Sequence, residues 1–162
     1  MKLRPFDHRE GVSVVGEVTR KGDVLEFGYL IEGDTIGVFI PPPSSPVRTD
    51  GLWESTCFEA FIGTGATSYI ELNFAPSGEW AAYSFAAYRQ GMRELDIAPP
   101  AIGFENNRLI ATASLAAEPG SPLSLTAVIK LKSGVRGYWA LAHPEGDRPD
   151  FHARDCFVAK LP

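Results

Sequence analysis

Two glutamates, Glu59 and Glu71, stand at the same phase of two neighbouring alternating runs, Thr56 to Ile62 and Ser68 to Phe74. If the turn between the runs centres on Gly65, antiparallel pairing places Glu59 opposite Glu71, Cys57 opposite Asn73 and Phe61 opposite Tyr69. All six then share one side of the sheet, because pairing preserves the pleat. A second turn centred on Ser77 brings Tyr83 beside Glu71 and Phe85 beside Tyr69, with Trp53 nearby. Like charges directly opposed across strands are unfavourable. Solvent, a cation, an arginine such as Arg48 or Arg89, or a bound ligand would have to offset them. Two readings of this face stay open: a solvated sheet surface, or a binding face for a small polar ligand. Aromatic rings beside planar carboxylate and amide groups suit a sugar, whose C–H faces stack on rings while its hydroxyls pair with directional polar groups. Paired carboxylates also serve as general acid and base in glycosidases, so hydrolysis is a third use of Glu59 and Glu71.

A second constellation is His143 and His152 with Asp147 and Asp150 in the loop between them. His143, Asp150 and His152 are weak candidates for a metal, since their spacing matches no compact ligand pattern. The alternative is that the aspartates cap turns and the histidines satisfy loop carbonyls. No GxSxG elbow, Gly-rich phosphate loop or CxxC pair is present. Cys57 and Cys156 read as buried free thiols.

The elements that position these groups are strands. Val12 to Arg20 and Val24 to Glu32 flank a Lys21-Gly22-Asp23 turn, and Leu25, Phe27, Tyr29 and Ile31 fall on one side. Thr35 to Ile40 predicts a third strand and a second hairpin. The run Pro41 to Pro46 cannot donate to a ladder and predicts a stiff extended loop at the edge of the fold. Thr56 to Ile62, Ser68 to Phe74 and Glu79 to Tyr88 form a meander, with Phe58, Ala60, Ile70, Leu72, Phe74, Trp80 and Ala82 on its core side. Asn106-Asn107 is a tight-turn pair between Ile102–Phe104 and Arg108–Leu115. Leu123 to Lys132 alternates, Gly137 to His143 is apolar, and Cys156 to Leu161 predicts a closing strand; a short helix near Ser114 to Glu118 is possible. The expectation is an all-β fold, an antiparallel β-sandwich of jelly-roll or immunoglobulin-like type. Phe58, Ile70, Leu72, Phe74, Leu125, Ile129 and Leu141 should share its core.

With 162 residues the chain fits one domain, spanning 1–162. A net charge of −5 gives no general attraction to nucleic acid or an anionic membrane, so neither is an expected partner. The first residues lack the apolar run of a secretory signal, which predicts a cytoplasmic location.

The stretch Leu52-Trp53-Glu54-Ser55-Thr56-Cys57-Phe58-Glu59-Ala60-Phe61-Ile62 and its continuation Tyr69 to Trp80 resemble DOMON-like domains and family 9 carbohydrate-binding modules. The closing segment, Tyr138 to Pro144 through Pro149-Asp150-Phe151-His152, is similar to the end of small bacterial DOMON-like proteins. The resemblance implies a β-sandwich that binds a ligand and catalyses nothing. In family 9 modules a sugar lies between two tryptophans and bonds a glutamate and an arginine. Trp53 matches the first tryptophan and Glu59 the glutamate. Arg89 is the candidate arginine and Trp139 the candidate second tryptophan. No calcium loop of the kind found in secreted modules is present. Some DOMON domains bind haem through Met and His, which makes Met92, His143 and His152 the residues of a haem alternative. The expected ligand site is therefore Trp53, Glu59, Glu71, Asn73, Tyr83, Arg89 and Trp139, with a small polar ligand such as a sugar as partner and no cofactor.

Overall fold

The computed structural model describes residues 1–7 and 11–162. They form twelve strands: β1 (Arg4–Pro5), β2 (Val12–Lys21), β3 (Val24–Gly33), β4 (Cys57–Gly63), β5 (Tyr69–Phe74), β6 (Trp80–Phe85), β7 (Arg93–Glu94), β8 (Ala101–Glu105), β9 (Arg108–Ser114), β10 (Pro122–Lys130), β11 (Arg136–Ala140) and β12 (Ala159–Lys160). One sheet runs β2-β3-β9-β8 and the other β1-β11-β10-β4-β5-β6-β7, with β12 also paired to β10. The strand ladders are antiparallel, and the two sheets pack face to face as a sandwich. Among the described residues no helix is long and apolar enough to cross a membrane.

Alternation built this core. Leu25, Phe27, Tyr29 and Ile31 of β3 are buried against Phe58, Ala60 and Ile62 of β4 and Ile70, Leu72 and Phe74 of β5. Rings meet across the gap, Phe27 with Phe74 at 5.4 Å and Tyr29 with Phe58 at 4.9 Å between centroids. The Tyr29 hydroxyl goes further and donates to the Glu59 carbonyl at 2.7 Å, tying the smaller sheet to the backbone of the larger. Leu125 and Ile129 join the same core, and Leu141 packs at its margin. Asn106 and Asn107 both take positive φ (50° and 61°), the geometry of a two-residue hairpin turn whose twist matches its strands.

Three expectations for the elements fail. Thr35 to Ile40 is no strand: β3 already has β2 on one edge and β9 on the other, so no ladder position remains, and only Val38 bridges to Leu131. Ser114 to Glu118 is not helical; the Leu115 N–H instead donates to the Asp23 carbonyl. The closing strand shrinks to Ala159–Lys160, because Arg154–Cys156 forms a 3-10 turn that tucks Cys156 under the preceding loop.

The outer face of the larger sheet is not solvated. Cys57, Phe61, Tyr69, Tyr83, Phe85 and Val128 are buried there with Phe151, Cys156 and Phe157 from the C-terminal loop, forming a second apolar layer. Both cysteines lie in this layer, unpaired and buried. Burial raises both thiols, with nearby carboxylates adding to the effect, and Cys156 reaches about 11. A disulfide reagent should therefore titrate two thiols in denaturant and react with neither promptly in the native protein. A count of zero in denaturant would overturn the free-thiol assignment.

Candidate ligand pocket

Between the outer face and its loop cover lies a pocket of about 390 Å³. Its floor comes from β4, β5 and β6 (Glu59, Phe61, Glu71, Tyr83, Phe85) and from β10 and β11 (Val128, Arg136, Tyr138). Trp53, from the 3-10 turn Leu52–Glu54, stands at the rim, 40% exposed. Arg89 and Met92 reach in from the β6–β7 loop, and Pro149, Phe151 and His152 from the C-terminal loop.

The register differs from the expected one by two residues. Glu59 lies opposite Asn73, and Phe61 opposite Glu71. A shift of two keeps every side chain on its face, so the two carboxylates still share the outer side, diagonally and not directly opposed. The second turn falls as expected, pairing Glu71 with Tyr83 and Tyr69 with Phe85.

Both carboxylates are almost enclosed, at 3% exposure for Glu59 and 5% for Glu71. The Thr126 hydroxyl donates to Glu59 Oε2 at 2.9 Å, and the Asn73 amide donates to Glu71 Oε1 at 2.8 Å. Burial first, then the neighbouring Glu71, pushes the Glu59 carboxyl up to about 8, against the Thr126 bond. Burial also raises Glu71, opposed by its bond from Asn73 and by the Arg89 charge. Near neutral pH Glu59 therefore holds a proton that an exposed glutamate would have lost.

A hydrogen-bonded chain runs along one wall. The Arg89 backbone N–H donates to the Tyr69 oxygen at 3.2 Å, and Tyr69 meets His152 Nδ1 at 2.7 Å. His152 Nε2 faces Glu71 Oε2 at 3.8 Å, too far for a hydrogen bond. Burial, then the Arg89 charge, lowers His152 to about 4, so the ring is neutral at pH 7. Asp150 fastens the loop: it accepts from Arg89 Nη2 at 2.9 Å, from the Tyr88 hydroxyl at 2.6 Å and from the His152 N–H at 3.2 Å. Arg89 itself sits at φ 51°, an uncommon conformation for a side-chain-bearing residue, and this turn directs its N–H at Tyr69.

The pocket gathers Trp53, Glu59, Glu71, Tyr83 and Arg89. Asn73 lies beneath it as a fully buried support for Glu71. Trp139 is a correction: at 2% exposure it belongs to the sandwich core and lines no part of the pocket. Its partner on β10 is Ala127, which points inward, and cross-strand partners share a face. His143, Asp150 and His152 do not come together as metal ligands. His143 Nε2 contacts the Arg4 carbonyl at 2.8 Å, Asp150 serves Arg89, and His152 Nδ1 is bound to Tyr69. The haem alternative loses His143 on the same ground, although Met92 does reach the pocket.

The fold has a known counterpart. A crystal structure of a "putative carbohydrate-binding protein" from Bacteroides uniformis superposes with a TM-score of 0.66 at 13% identity, covering 90% of this chain and 76% of that one. At that identity the likeness is one of fold. No protein-family model matches the sequence, and no curated protein does.

Sequence reasoning did not find Thr126, Asp50 or the loop cover. Thr126 carried a signal, since it is polar and out of phase with the apolar set Leu125, Ala127 and Ile129 of its own strand. Asp50, which accepts from the Tyr83 hydroxyl, and Phe151, which roofs the pocket, are brought in only by the tertiary fold.

Proposed function

We propose that this chain is a single β-sandwich domain that binds a small polar ligand of the carbohydrate class in the outer-face pocket and performs no chemistry on it. The observation that carries this reading is the pairing of two buried carboxylates on the floor with an exposed tryptophan at the rim of one pocket. Trp53 offers a stacking face. Glu59 and Glu71 offer fixed acceptors and, when protonated, donors. Tyr83 and Arg89 supply further polar contacts. The described name of the fold counterpart and the resemblance of the Trp53–Trp80 stretch to DOMON-like domains and family 9 modules support the same class.

Calorimetric titration with a panel of mono- and disaccharides tests it, beside an assay with chromogenic glycosides. Saturable binding of at least one sugar, without turnover of any glycoside, is the expected result. Failure of the whole panel to bind overturns the reading. Release of chromophore that Glu59→Gln abolishes would make the two glutamates an acid–base pair.

A further inference from the structure

The carbohydrate reading leaves the charge of the pocket floor without an account. Glu59 and Glu71 are acidic groups of one sign on adjacent strands, both nine-tenths or more buried. Among the described residues, no lysine or arginine lies within ion-pair distance of either; the nearest basic contact is the neutral His152 at 3.8 Å. Each has committed one oxygen, to Thr126 and to Asn73. The others, Glu59 Oε1 and Glu71 Oε2, accept no hydrogen bond from the described residues. Neither is among the sealed, unpaired polar atoms, and both side chains line the pocket. Buried carboxylates without an ion-pair partner are costly, and the cost falls when a cation arrives that fits between them.

The walls suit the same visitor. Trp53, Phe61, Tyr83, Phe85, Tyr138 and Phe151 surround the floor, and ring faces attract a cation. Of the pocket arginines, Arg89 is already paired with Asp150 at 2.9 Å, and Arg136 is engaged by an interaction of its own.

We propose that the ligand carries a protonated amino group, as an amino sugar or a related small amine does, and that this group sits between the free oxygens of Glu59 and Glu71. The inference rests on the reading of this pocket as the site of a small polar ligand, and it narrows the class. An ammonium brings three donors and one positive charge, against two unpaired acceptors and two acidic groups.

Binding is then linked to proton release. Glu59 faces Glu71 from β5, Thr126 from β10, Tyr29 from the smaller sheet and Cys57 on its own strand. Glu71 faces Tyr69 and Asn73 on its strand, Tyr83 from β6, Arg89 from the β6–β7 loop and His152 from the C-terminal loop. Arg136 and Tyr138 of β11 line the same pocket. Glu59 is protonated near pH 7 when the pocket is empty, so an ammonium that favours the ionised form expels a proton.

Calorimetry at pH 7, in two buffers of different ionisation heat, tests this with glucosamine, glucose, N-acetylglucosamine and ethanolamine. Glucosamine should bind at least about tenfold more tightly than either neutral sugar and release about one proton. Glu59→Gln and Glu71→Gln are close in shape but cannot ionise; each should lose the preference for glucosamine over the neutral sugars, and the proton release with it. Equal binding of neutral sugars overturns the ammonium site and leaves the carbohydrate reading standing. Binding of ethanolamine but of no sugar keeps the ammonium site and overturns the carbohydrate reading. Glucosamine binding that both glutamine variants retain in full places the amino group elsewhere and overturns the inference. No binding by any probe overturns both.

Discussion

Raising the pH from about 6.5 to about 8.5 should destabilise the protein by about 2 kcal/mol, and Glu59→Gln should abolish most of that loss. The folded state holds the Glu59 proton up to about pH 8, whereas the unfolded chain releases it near 4.5. Between those values the folded state binds more protons, so stability falls as pH rises. His152 acts in the opposite sense. It is neutral in the fold down to about 4, while the unfolded chain gains its proton near 6.5, so the stability linked to it is fully present above 6.5 and is lost as pH falls toward 4. From about 4.5 to 6.5 the two slopes oppose one another and the stability profile should be nearly flat. Above 6.5 the Glu59 slope is left alone; Glu71, also raised by burial, contributes with the same sign. For a chain of this size the loss lowers the thermal midpoint by about 4–8 °C. Glu59→Gln should match the wild type at pH 5 to within about 1 kcal/mol and exceed it at pH 8.5 by on the order of 3 kcal/mol. Thermal melts across this range check it. A wild-type profile that stays level from 6.5 to 8.5, or a glutamine variant that falls just as steeply, would show that Glu59 is ionised in the fold.

The two tryptophans matched to the sugar-binding pair should behave as opposites. Trp139→Ala empties a large site in the sandwich core, where the ring is 2% exposed, and should cost about 3–5 kcal/mol. Trp139→Phe, which keeps part of the ring and removes an indole N–H that has no partner among the described residues, should cost less than half of that, about 1–2 kcal/mol. Trp53→Ala should shift stability by no more than about 0.5 kcal/mol, since the ring stands in solvent at the rim. It should nevertheless weaken a bound sugar by about tenfold or more, because a stacking face is lost. Urea denaturation of the three variants, with titration of a ligand found for the wild type, separates these outcomes. Near-wild-type stability for Trp139→Ala would be incompatible with its place in the core.

Much of the architecture was legible because strands repeat every second residue. That period named the inward faces of β3, β4, β5 and β10, and Asn106-Asn107 named its turn. The register of β4 on β5 was not legible. The connecting loop closes with the Thr64 N–H on the Ser68 carbonyl, and composition does not distinguish a centre at Gly65 from one at Ala66. The error did no harm to the site, since it moved partners by two and left Glu59 and Glu71 on one side. Trp139 could have been placed correctly: its partner Ala127 shares the inward phase of Leu125 and Ile129. The burial of the outer face could not, because Phe151, Cys156 and Phe157 reach it through contacts that no local pattern encodes.

The strands that hold the molecule together and those that line its pocket are the same strands. On β4 and β5, Phe58, Ala60, Ile62, Ile70, Leu72 and Phe74 point inward, while Phe61 and the two glutamates alternate with them and point to the pocket. Structure and recognition are thus written in interleaved positions of one text. Changing the pocket-facing letters leaves the inward apolar ones untouched, but it also edits the second apolar layer, so a library on this chain folds only where Phe61, Tyr83, Phe85 and Val128 stay apolar and the variation is confined to the polar positions between them. A single inserted residue in any of these strands would exchange the two texts and destroy both at once.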